Sequence, residues 1–122
     1  MDYWREQKLD FVVMPGLGSQ ALEHGRSKDT SLSICYTLIW NMLDMVVGSM
    51  PVTRVLPHEQ SYTSKHNDLV ANSLKENAKK SEGMPVGVQI VGAPFQEEEV
   101  LGLMSSLEKK INFYQKNPLP KL

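Results

Sequence analysis

Apolar positions along the chain switch repeatedly between a period near two and a period near 3.6, the signature of alternating strands and helices. Leu9 to Met14 is a short run in which Phe11, Val12 and Val13 stand together, the pattern of a strand covered on both faces. Pro15 and Gly16 break it, and the stretch to Asp29 is rich in Gly, Ser and charge, as a loop is. Asp29, Thr30 and Ser31 are N-cap candidates for the next element. Cys35, Leu38, Ile39 and Met42 then follow the i, i+3, i+4, i+7 spacing of one helical face. Ile34, Tyr36, Trp40 and Leu43 add apolar groups on its other sides, which predicts a helix covered from several directions and ended by Gly48.

A strand is predicted from Pro51 to Val55, opened by a proline whose missing N–H is tolerable there. After a polar loop from His58 to Asn67, Asp68 to Lys80 reads as an amphipathic helix with Leu69, Val70, Leu74 and Ala78 inward, closed by Gly83. Met84 to Val91 is the third strand, with Val86, Val88 and Ile90 on one face. The last helix begins after Pro94, carries Glu97, Glu98 and Glu99 in its first turn and buries a stripe of Val100, Leu103, Met104, Leu107 and Ile111. The order is β-α-β-α-β-α, so the expected class is α/β, a mixed sheet with helices on both faces. Three strands are narrow for helices this apolar, and a sheet with open edges predicts one end of a larger fold.

Composition narrows the function classes. Net charge is −1 with 22% charged residues, and Lys and Arg are scattered, so no electrostatic footprint for nucleic acid is present. Residues 1–8 lack the apolar core of a secretory signal or anchor, and 32–50 is too interrupted by polar residues to cross a bilayer. An intracellular location is the expectation, with membrane association left to the parent protein. Cys35 is the sole cysteine, which excludes an intramolecular disulfide and a cysteine-rich metal site; its apolar surroundings predict core packing. His24, His58 and His66 are too widely spaced to suggest a metal centre and read as surface loop residues. No metal site and no cofactor motif is expected.

Nucleophile patterns are equally thin. Pro15-Gly16-Leu17-Gly18-Ser19-Gln20 misses the G-x-S-x-G elbow and the dinucleotide loop, because Ala21 stands where either needs glycine, and it reads as a structural turn. Ser105 and Ser106 lie inside a helix without glycines around them. Residues and spacing alone give no complete catalytic constellation.

Three ordered segments carry a resemblance. Gly83-Met84-Pro85-Val86-Gly87-Val88-Gln89-Ile90-Val91-Gly92, followed by Pro94-Phe95-Gln96-Glu97-Glu98 and Leu101, is similar to the C-terminal G-[LM]-P-V-G-x-Q-x-x-G segment of amidase-signature enzymes. Ser33 to Asp44, with Gly48 and Met50-Pro51-Val52-Thr53, resembles a stretch of the fatty-acid amide hydrolase branch. Leu9-Asp10-Phe11-Val12-Val13-Met14-Pro15 looks like the strand that precedes it. The resemblance implies that residues 1–122 are a partial amidase-signature domain, its C-terminal portion, with an irregular tail from about 112 to 122.

It further implies a parent that cleaves lipid or other hydrophobic amides with a Ser–cis-Ser–Lys triad through an acyl-enzyme, all three residues lying N-terminal to these motifs. No catalytic residue is assigned here, and the chain alone is expected to be inactive. By motif position Ile34 and Leu38 correspond to residues lining the acyl-chain channel and are the candidate substrate-binding residues, although core packing accounts for them as well. The implied partners are the remainder of the amidase domain or another protein chain, a hydrophobic amide substrate and a homodimer of the parent; no nucleic acid is expected. The alternative is a non-catalytic, amidase-derived structural or interaction subunit. Met45-Val46-Val47-Gly48 replaces the usual Phe-Pro-Ala-Gly, and Val70 stands where a bulky aromatic is common, so the channel walls differ from the branch pattern.

Overall fold

The stripe of the last helix decides the core. In the computed structural model, which describes residues 2–22 and 24–118, helix α4 (Glu97–Ile111) lays Val100, Leu103, Met104, Leu107 and Ile111 against Met50 and Ile90 of the sheet. Ile90 is completely buried, a burial that stabilises by about 1.5–3 kcal/mol. Glu97, Glu98 and Glu99 sit exposed in the first turn, where the helix dipole favours them. Asn112, in the left-handed conformation (φ 55), ends the helix as a cap residue can. It leads directly into a short helix α5 (Phe113–Lys116), where the sequence reads as irregular tail. The cause is Phe113, which is buried and lies 5.5 Å from the Arg54 guanidinium. The end of the expected tail, 119–122, lies outside the described residues.

The sheet has three strands, β1 (Val12–Pro15), β2 (Val46–Arg54) and β3 (Pro85–Gly92), in the order β1-β3-β2. Both ladders are antiparallel: Met14 and Ser49 flank Gln89 from either side, and Val13 and Gly48 flank Ile90. The α/β class with helices on both faces is as expected; among the described residues the sheet contains no parallel pair. Gly48 does not end a helix. Helix α2 (Cys35–Met42) stops earlier, and Gly48 lies inside β2 because α4 passes too close for a side chain: a Cβ there would collide with Met104 Sδ. Gly92, on the neighbouring strand, makes the same allowance, since a Cβ there would stand 2.6 Å from Val100 Cγ2. Close helix–sheet approach therefore overrides the usual stop value of glycine.

Helix α3 (Leu69–Ala78) is capped as its sequence suggests, the Asp68 carboxylate accepting from Ala71 N at 2.8 Å. It buries Ala71, Leu74 and Ala78 with Ser73 and Asn77, whereas Leu69, expected inward, is 70% exposed. Helix α2 departs more. It has no buried residue, and Cys35, expected in the core, is exposed. A short helix α1 (Asp2–Glu6) precedes β1.

Candidate functional site

Alternation along β3 sends Val88 and Ile90 to α4 and Gln89 and Val91 to the opposite face. Gln89 is 1% exposed, and its Nε2 amide donates to Pro15 O at 2.9 Å and Tyr36 O at 2.7 Å. Two carbonyl acceptors fix which end of the amide is nitrogen. Its Oε1 is buried and accepts no hydrogen bond within the described structure. Gln89 thus joins the end of β1 and the first turn of α2 to the central strand. Trp40 adds a second tie, its Nε1–H donating to Met14 Sδ at 3.2 Å.

Over this face lies a cleft of about 290 Å³, with Val47, Ser49 and Gln89 from the sheet, Thr37 from α2, and Ser19 and Gln20 from the loop after β1. Gln20 anchors that loop to α3 by donating from Nε2 to Asn77 O at 2.6 Å. Gly18 lets it run against the Tyr36 ring, whose Cε2 would be 3.2 Å from a Cβ at that position. The Pro15–Gln20 stretch is the turn its sequence suggests, and it also forms a wall. Ser19 Oγ donates to the carbonyl of Gln20 at 3.0 Å, and among the described residues no base is hydrogen-bonded to it.

The other candidates disperse. Ile34 and Leu38 sit one turn apart, both exposed, and neither lines the cleft around Gln89. Ser105 and Ser106 are exposed on α4, and His24, His58 and His66 are exposed. Among the described residues no group of three His, Cys, Asp or Glu could hold a metal ion. The Glu76 carboxyl is held below its ordinary range by the hydrogen bond from Lys79 Nζ at 2.7 Å, on the open surface of α3. What sequence reasoning passed over is the structural weight of Gln89. Its signal was present: one amide inside the apolar run from Val86 to Val91.

The amidase family model matches residues 2–101, which include every strand of the sheet and the cleft. The chain belongs to the amidase family. Fatty-acid amide hydrolase 1 of Sus scrofa is 34% identical over 87% of this chain, and fatty acid amide hydrolase 1 of Caenorhabditis elegans is 30% identical over 84%. An amidase of Gibberella moniliformis is 29% identical over 80%. The chain spans less than a fifth of the length of these relatives, 19%, 18% and 16% respectively. Likeness to fatty-acid amide hydrolases agrees with the branch suggested by the Ser33–Asp44 stretch, although the side chain of Ser33 lies outside the described residues.

Proposed function

We propose that this chain is the C-terminal section of an amide hydrolase of the amidase family that acts on lipid or other hydrophobic amides, its Ser–Ser–Lys triad supplied by polypeptide outside these residues. The observation that carries the reading is the family match combined with the short span on the relatives, two of which are named fatty-acid amide hydrolases. In this reading Ile34 and Leu38, apolar, exposed and a turn apart, form one section of an acyl-chain wall completed by the remainder of the amidase domain. The alternative, a non-catalytic amidase-derived subunit, requires that the assembled protein be inert.

The chain alone should show no serine-dependent labelling by a fluorophosphonate probe. The assembled protein should hydrolyse long-chain primary amides faster than short-chain ones, and a Leu38→Asp variant should raise KM for the long chain selectively. Labelling of the isolated chain, or equal rates for both chain lengths, would overturn the proposal. An assembled protein without any amidase activity would favour the non-catalytic reading.

A further inference from the structure

Arg54 ends β2, and its guanidinium is held entirely by neutral groups. Nε donates to Asn117 Oδ1 at 2.8 Å, and Nη1 donates to the Gly83 carbonyl. Asn117 is itself oriented, because its Nδ2 donates to Phe113 O at 2.9 Å and leaves its oxygen for Arg54. The buried Phe113 ring, its centroid 5.5 Å from the guanidinium carbon, backs the group from one side. A guanidinium carries five N–H groups, so donors remain after these bonds are made. Among the described residues they meet no carboxylate.

Arg54 lines a cleft of about 480 Å³ between β2 and the corner where α4 passes into α5. Lys116 lines the same cleft, tethered through Nζ to Ile111 O at 2.8 Å, and it too has no acidic partner among the described residues. Val52, Leu56 and Ile111 add apolar walls. Glu59, the acid nearest to Arg54 in sequence, accepts from Leu56 N at 2.8 Å and does not line the cleft. A cation positioned by neutral acceptors keeps its charge uncompensated and presents donors that need little further ordering, the arrangement suited to an oxyanion.

We infer that this cleft binds an oxyanion, carboxylate or phosphate, carried on a short apolar stem. The headgroup pairs with Arg54 and Lys116, and the stem lies against Val52, Leu56 and Ile111. The site shares no lining residue with the cleft around Gln89, and it stands independently of the amide-hydrolase reading.

The test is a titration of the nitrogen-15-labelled chain followed by NMR, with hexanoate and hexyl phosphate as ligands and acetate and hexylammonium as controls. The Arg54 Nε–H and the Asn117 side-chain amide should shift saturably with a hexyl anion, and the tighter of the two identifies the headgroup. Acetate should bind about tenfold more weakly or worse, the loss expected from leaving two methylene groups unburied. Hexylammonium should leave both signals in place. Arg54→Gln should weaken binding about tenfold or more, as loss of a charged hydrogen-bonding partner does. Because Arg54 also ties Gly83 and Asn117, the exposed Lys116→Gln is the second variant. It should weaken binding about threefold while leaving the thermal midpoint unchanged. No saturable shift with either hexyl anion, equal affinity for acetate, an equal response to hexylammonium, or undiminished binding in both variants would each overturn the inference.

Discussion

The Gln89 amide donates to the Tyr36 carbonyl at 2.7 Å, and through that bond the central strand holds a helix that buries no residue of its own. Apolar contact does little to seat α2 on this face, so the polar tie carries a larger share than usual.

Substituting Gln89 by methionine tests this. The side chain keeps its length and apolar stem, but the carbonyls of Pro15 and Tyr36 lose a buried donor. The expected cost is about 1–3 kcal/mol, moderated because the unpartnered Oε1 is removed too. Urea denaturation should show a lower midpoint, and faster amide exchange in α2 than in β3 should localise the effect.

Gly92 and Gly48 separate two kinds of close approach. A Cβ at Gly92 meets Val100 Cγ2 at 2.6 Å, on a stiff, β-branched, buried side chain. A Cβ at Gly48 meets the end of Met104, which has other rotamers to adopt. Gly92→Ala should therefore destabilise by about 1–3 kcal/mol, and Gly48→Ala by less. Equal midpoints in urea would show that the α4–sheet spacing adjusts freely.

Asp68→Ala should cost about 1 kcal/mol, since the Ala71 amide loses its acceptor at the start of α3. Asp68→Asn should recover most of that, because its side-chain oxygen can accept the same bond. The measurement is the thermal midpoint of the three proteins side by side.

Local rules made α4 and α3 legible. The stripe from Val100 to Ile111 has helical spacing with acids at its start, and Asp68 is a cap ahead of an apolar run. The helix–strand boundary after α2 was not legible, because Gly48 is a breaker by propensity and becomes a strand residue only where Met104 and Val100 need the room. Phe113 was missed likewise: nothing periodic surrounds it, and its burial depends on Arg54, which is distant in sequence. For the candidate site, the motifs around Gln89 pointed to the family. That Gln89 joins Pro15 and Tyr36 depends on a register between strands that are sequentially remote.

The sequence by itself determined the α/β class, the α4 core stripe and membership of the amidase family, because periodicity, caps and short motifs are local and survive without their surroundings. Only the tertiary structure decided the antiparallel order β1-β3-β2, the Gln89 tie and the exposure of α2. Apolar residues such as Cys35 and Met42 announce that they are to be covered. Whether this chain or a further stretch of polypeptide covers them depends on how much surface the three-stranded sheet can offer, and its second face is only partly occupied by α2.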